Sequence, residues 1–286
     1  MSIKGGVGKS TTTAGLALAL RNKMYRVGLM DIDLSGANLP SALGIPEPWP
    51  APELDLERDK MTALSVNGYW IFSLAFRYGK SALLWEGGEQ IIEAFGEKHH
   101  LRGTGRYNLI KLMLKNVTFP ELDYKLFDLP PQSGDEVLSL FENLLEIWGA
   151  ILVCQPTGLA TQDIERTLNM VEVKKVPLLG MVGNMTYCIA PRSGEEFYPY
   201  LDAGIDLEAF CHQHGIPYLE SIPFTPDRSI VERKFEALAE EVLKAEPVKI
   251  WQKDFKQRLE ETLTTSLVKS YFIKLGKESN ELGSAE

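Results

Sequence analysis

The chain is poor in cysteine: Cys154, Cys188 and Cys211 are the only three in 286 residues. They are odd in number, far apart and never in a Cys-x-x-Cys pair, which excludes a disulfide framework and predicts a reducing, cytoplasmic setting. No apolar run approaches the roughly 18 residues that a bilayer span needs, and no secretory leader is present, so a membrane is not an expected partner. Basic residues are outnumbered, 30 against 39, for a net charge of -9. Without an overall positive field, nucleic acid is not an expected partner either. Histidine is scarce as well, and His212 and His214 stand two apart on an expected helix, where they do not face a common ligand. Low-complexity tracts are missing, and 44% apolar with 24% charged residues is the make-up of an ordinary folded chain.

What is present is an alternation of short apolar strands and amphipathic helices. A helix opens at Ser10, and a strand follows from Val27 to Met30. Further along come strand Lys125 to Phe127, helix Asp135 to Ile147, strand Ala150 to Cys154, helix Thr161 to Val171, strand Leu178 to Val182, strand Tyr218 to Ile222 and helix Pro226 to Ala245. Short buried strands between helices predict an α/β fold with a doubly wound, mainly parallel sheet and helices on both faces. Residues 1–245 form one expected domain, within which 46–107 is an elaborated crossover or insertion carrying a strand candidate, Trp70 to Phe76. A phosphate loop ordinarily follows a strand. Only Met1, Ser2 and Ile3 precede the glycine-rich stretch here, so the first strand is expected to be missing by truncation. Residues 246–286 form an expected C-terminal helical tail in which Trp251, Phe255, Leu259, Leu263, Leu267 and Tyr271 recur every fourth position. That stripe drifts by roughly 200° around the helix, and its polar side mixes charges, which suits packing on protein better than lying on a membrane.

Lys4-Gly5-Gly6-Val7-Gly8-Lys9-Ser10-Thr11 leads straight into an apolar helix. Glycines let the backbone approach closely, so the loop amides and the positive helix end converge on a phosphate group. Lys9 is the expected point charge for β- and γ-phosphates, and Ser10 supplies a hydroxyl for Mg²⁺. Asp31-Ile32-Asp33 ends a strand beside that crevice. Asp33 is the candidate for orienting an attacking water, with Asp31 as support on the metal side. Asp128 ends a later strand and is expected to hold Mg²⁺ through water. The stiff Pro130-Pro131-Gln132-Ser133-Gly134-Asp135 stretch after it suits a loop that senses a γ-phosphate. Phosphoryl transfer asks a protein mainly for positioning and charge stabilisation, so these few groups suffice.

Together these elements resemble the Mrp type of deviant Walker P-loop ATPases, in the superfamily of MinD and ParA and related to the nitrogenase iron protein. Trp85-Glu86-Gly87, Gly183-Asn184-Met185-Thr186-Tyr187 and Pro223-Phe224-Thr225-Pro226 fall in the same order, and the likeness covers roughly residues 1–240. The resemblance implies ATP and Mg²⁺, slow hydrolysis, and a homodimer in which Lys4 reaches the partner's phosphates. It also implies that Asn184 reads the adenine edge, with the loop from Pro223 closing the base pocket. Iron–sulfur cluster carriage or assembly is the implied role, for a client protein that the sequence does not name. One departure is large: cluster-carrying members have Cys-Pro-x-Cys where this chain has Ala190-Pro191-Arg192-Ser193. A cluster takes about four thiolates, so one held by this chain alone is not expected, and Cys188 reads as a small buried side chain. Two alternatives stay open: a MinD- or ParA-like regulatory ATPase recruiting a protein partner, and a relative that binds nucleotide without hydrolysing it.

Overall fold

The computed structural model describes residues 1–2, 4–34, 36–49, 54–55, 60–78, 91–94, 97–100, 104–131, 134–144, 146–200 and 204–251. Trp85-Glu86-Gly87, Gln132, Ser133, Arg102 and the tail beyond Trp251 lie outside the described residues. In chain order the elements are α1 (Lys9–Asn22), β1 (Val27–Asp31), α2 (Leu39–Ala42), β2 (Leu54–Asp55), β3 (Lys60–Thr62), β4 (Leu64–Val66), β5 (Tyr69–Phe72), α3 (Ala75–Tyr78), β6 (Ile91–Ala94) and β7 (Glu97–His100). They continue with α4 (Thr104–Asn116), β8 (Val117–Thr118), β9 (Tyr124–Asp128), α5 (Asp135–Asn143), β10 (Ala150–Cys154), α6 (Ala160–Val173), β11 (Leu178–Ile189), β12 (Glu196–Phe197), α7 (Leu207–Gln213), β13 (Tyr218–Phe224) and α8 (Arg228–Lys244).

Two parallel cores carry the fold. In one, β1 lies between β5 and β9, parallel to both, with β4 added antiparallel at the edge. In the other, β11 lies between β10 and β13, parallel to both, and its outer half pairs antiparallel with β12. Continuous apolar runs such as Val27–Met30 are what a strand covered on both faces requires. Leu16 and Leu20 of α1 and Phe235 and Leu238 of α8 pack on Leu29, Ile71, Val182 and Leu219, so one helical layer spans both cores. The opposite faces are covered by Leu109, Ile110 and Met113 of α4 with Leu140 of α5, and by α6 and α7 around Leu152 and Met181. Gly15 lets α1 approach α8, because a Cβ there would fall 2.4 Å from the Phe235 ring.

Between β9 and β10 the two cores part. Met1 is held against β10 by two hydrogen bonds: its amino group donates to the Ile151 carbonyl, and its own carbonyl accepts from the Val153 amide at 2.9 Å. This reciprocal pattern around one residue is that of a parallel ladder. The remaining space is a cavity of about 510 Å³ lined by β9 and β10, by Leu16 and Leu20, and at one end by Lys9 and Asp128. Its presence explains why β9 is only half-buried over Tyr124–Phe127 while β1 is buried throughout.

Several boundaries differ from expectation. The crossover region itself contributes β5 to the main sheet, and the strand stops at Phe72, two residues before the chain turns into α3. Helix α5 ends at Asn143 because Leu144 turns to an extended conformation, and Gly149 is already pressed against Leu179 at the entry to β10. Helix α8 begins at Arg228, since Asp227 caps it by accepting from the Ser229 amide at 2.9 Å.

Candidate functional site

The loop from Lys4 to Gly8 leaves Met1 and enters α1 with Gly6 at φ 75° and Gly8 at φ 89°. Both angles are in the left-handed region that glycine alone adopts without cost. Gly5 and Gly6 are exposed, whereas Val7 and Lys9 are buried and anchor the loop. The Lys9 ammonium donates to the Lys4 carbonyl at 3.1 Å across the loop. Burial lowers its pKa, opposed by the charges of Asp128 and Asp33, so the cation and both acids share one neighbourhood. Ser10 and Thr11 follow in the first helical turn, Thr11 exposed.

A row of polar groups crosses the strand ends beside this loop. Asp31 and Asp128 are register partners of β1 and β9, so their side chains stand on the same face. Ser73, just past β5, donates to Asp31 Oδ2 at 3.0 Å, and Thr13 of α1 donates to Asp128 Oδ1 at 3.3 Å. Burial, then the nearby charges of Asp128 and Asp33, push the Asp31 carboxyl well above its ordinary range. Asp128 is pushed up to about 6, chiefly by burial, with the Ser10 hydroxyl pulling the other way and the Asp33 charge adding to the rise. Asp33 stands one turn further out: its backbone amide donates to Asp31 Oδ1 at 3.1 Å, and its own Oδ1 accepts the Gly36 amide at 2.8 Å.

These groups fit a divalent cation. Asp128 Oδ2 is buried without a partner among the described residues, and crowded carboxylates with raised pKa values lack positive charge. No three His, Cys, Asp or Glu side chains close around one point among the described residues, so the acids do not form a cage. That suits Mg²⁺, which keeps several waters and is bound through one or two protein oxygens plus substrate phosphates.

The second core holds the loop from behind. Asn184 of β11 is buried and donates from Nδ2 to the Val7 carbonyl at 2.8 Å. Lys4 Nζ donates to Thr157 Oγ1, beyond β10, at 3.2 Å. In this chain, then, the amide of Asn184 faces the phosphate loop and the Lys4 ammonium is bonded within the same chain. Pro223 is buried on β13, next to Ile222, the register partner of Asn184. The stiff turn after Asp128 abuts the loop from the other side, Pro131 Cβ lying 3.7 Å from where a Cβ on Gly5 would be.

The structure places Lys4–Thr11, Asp31, Asp33, Asp128 and Asn184 near one another, together with Ser73, Thr13 and Thr157, which sequence reasoning passed over. Ser73 carried a signal: it is the lone hydroxyl in the apolar run Trp70–Phe76. The cysteines do not suit a cluster. Burial pushes the Cys154 and Cys211 thiols up to about 12, and Cys188 alone is partly open, opposite Phe197 on the β11–β12 hairpin. These residues do not supply the donor set of an iron–sulfur cluster. Among the described residues no helix is long and apolar enough to cross a membrane.

A glycine-rich loop at a helix start, with two acids on neighbouring strand ends of a parallel sheet, defines a P-loop NTPase. The chain belongs to the ParA group described as "NUBPL iron-transfer P-loop NTPase", whose profile it matches over residues 1–259. It is 33% identical over 228 residues to the cytosolic Fe-S cluster assembly factor CFD1 of Candida glabrata, covering 79% of this chain and 75% of that protein. It is 28% identical to the iron-sulfur cluster carrier protein of Aquifex aeolicus, covering 88% of this chain and 61% of that one. Among solved structures, a nucleotide-binding protein of Archaeoglobus fulgidus in complex with ADP superposes with a TM-score of 0.62 at 27% identity, over 83% of this chain and 85% of that one. MinD of Pyrococcus horikoshii, complexed with Mg-ADP, shares the fold with a TM-score of 0.56 at 21% identity, over 85% and 93% of the two chains.

Proposed function

We propose that this chain binds ATP with Mg²⁺ at Lys4–Thr11, hydrolyses it slowly, and acts as a dimeric, nucleotide-dependent switch in iron–sulfur cluster assembly. One observation carries the reading: a buried, unpartnered Asp128 oxygen faces the same neighbourhood as Lys9, at the mouth of a loop built on left-handed glycines. Lys9 neutralises the β- and γ-phosphates and Ser10 offers its hydroxyl on the metal side. Asp128 and Asp31 form the outer acidic support, and Asp33 orients the attacking water. Bound Mg²⁺ supplies charge compensation between phosphate oxygens and these acids. Asn184 and Pro223 border the adenine. The names of the relatives, an assembly factor and a cluster carrier, support the cluster role, as does the family description. Because positions 190 and 193 are alanine and serine, the thiolates for a cluster come from a partner rather than from this chain.

Lys4 gives the switch its dimeric character: it is tethered to Thr157 by one bond and is freed to reach a partner's phosphates when two nucleotide-loaded subunits meet. The test is equilibrium binding of Mg-ATP, turnover, and sedimentation on wild type, Lys9→Ala and Lys4→Ala. Lys9→Ala should lose binding, whereas Lys4→Ala should bind but fail to self-associate and turn over. Equal nucleotide affinity in Lys9→Ala and wild type would refute the assignment. Anaerobic incubation of the chain alone with iron and sulfide should give no cluster chromophore, and a stable one would overturn the partner's part.

A further inference from the structure

The grip of the second core on the phosphate loop has a consequence for the loop's chemistry. Asn184 is 3% exposed and its amide donates to the Val7 carbonyl. A trans peptide group is planar, with its C=O and the following N–H pointing in opposite directions. A Val7 carbonyl tied to Asn184 therefore turns the Gly8 amide away from Asn184 and β11, and the neighbouring Gly6 borders open space, with nothing within 4 Å of a Cβ placed on it. Successive amides aimed into one concavity are what an anion-binding nest consists of.

The fit is close enough to define the direction. A Cβ on Gly8 would fall 2.1 Å from Asn184 Nδ2 and 3.4 Å from its Cγ. The position of Asn184 is itself constrained: Met185 follows in the left-handed region at φ 54°, the β11–β13 register breaks just beyond Asn184, and Gln155 Nε2 holds Met185 Sδ at 3.0 Å. The clamp thus runs from the middle of β11, steadied by Gln155 just past β10, through the Asn184 amide to one loop carbonyl.

We infer that Asn184 is a positioning residue for the phosphate nest: by holding the Val7 carbonyl it aims the Gly8 amide, and so sets affinity for a polyphosphate chain independently of any contact with a base. This rests on the reading that Lys4–Thr11 hold the nucleotide's phosphates. It adds a role that base recognition alone does not contain, and a probe without a base separates the two.

The experiment is calorimetric titration of the full chain with inorganic tripolyphosphate, adenosine and ATP, each with Mg²⁺, on wild type, Asn184→Ala and the smaller change Asn184→Ser. Thermal melting identifies any variant that fails to fold, and the other then carries the comparison. Releasing a buried carbonyl from its donor weakens what depends on it by about tenfold or more, so both variants should lose about tenfold in tripolyphosphate affinity and at least as much for ATP. Tripolyphosphate affinity equal to wild type in the folded variants, with ATP weakened or not, would overturn the inference and leave the nucleotide reading standing. A wild type that takes ATP but not tripolyphosphate would also overturn it, since the amides then do not hold phosphate by themselves. A wild type that binds neither would bring down the nucleotide reading and this inference with it.

Discussion

Replacing Asp128 with asparagine keeps the shape of the side chain and deletes a charge that the fold accommodates at a cost. Burial lifts its carboxyl from the ordinary 3.8 to about 6, against the pull of the Ser10 and Thr13 hydroxyls and of Lys9. The native state therefore holds this proton more tightly than the unfolded chain does. Between about pH 4 and 6 the native protein carries more protons, so its stability falls as pH rises, and the penalty is complete above about pH 6. The displacement from 3.8 to about 6 corresponds to about 3 kcal/mol. Asparagine escapes that penalty, and its amide can donate to the Asp31 carboxylate on the neighbouring strand. Urea unfolding without nucleotide and with a chelator should show Asp128→Asn more stable than wild type by about 3 kcal/mol at pH 7.5, and by only about 1 kcal/mol at pH 4.5. Acids held below their ordinary range, Asp123 beside Arg26 and Glu142 beside Lys174, lose their contribution at low pH in both proteins and cancel in the difference. The same variant should lose Mg²⁺-dependent nucleotide binding. A variant less stable than wild type at pH 7.5, or a difference that ignores pH, would refute the reasoning.

Ser73→Ala removes the hydroxyl from Asp31 and should cost about 1–3 kcal/mol in urea unfolding, together with a higher Mg²⁺ requirement for turnover; unchanged values for both would mean the bond supports neither the acid nor the metal. Gly15→Ala gains about 1 kcal/mol of helix propensity but drives a methyl group to 2.4 Å from Phe235, an overpacking worth about 1–3 kcal/mol. Its melting temperature should fall and recover when Phe235→Leu is added, and a rise in the single variant would show that α8 yields freely.

Which parts of this site were legible in the sequence follows from the range of the interactions. Lys4–Thr11 is a contiguous loop whose geometry is set by its own glycines, and Asp31 and Asp128 announce themselves by ending apolar strands. Residues that support them act across long separations. Ser73 meets Asp31 from 42 positions away, Thr157 meets Lys4 from 153, and Asn184 meets Val7 from 177. Such pairs are fixed by sheet order, which local periodicity does not encode. Asn184 was singled out by resemblance to a family, yet its bond to the loop became visible only when β11 was set beside the phosphate loop. Helix α5 shows the converse: the apolar spacing of Leu140, Leu144 and Ile147 continues a helical pattern, but Leu144 is extended because the chain must enter β10 at Gly149.

The division of labour between the two cores bears on how a nucleotide could be felt far from its phosphates. The acids come from the ends of β1 and β9, with the Ser73 hydroxyl just past β5 bonded to Asp31, while β10, β11 and the turn at Thr157 hold the loop. Along β9 and β10 themselves the cores are separated by a cavity, bridged at its end by Met1 and by the shared layer of α1 and α8. A polyanion seated in the loop would pull on both sides at once, on Lys9 next to Asp128 and on the Val7 peptide next to Asn184. The exposed β11–β12 hairpin, with Phe197 and Tyr198 half open to solvent, is the continuation of the very strand that carries Asn184.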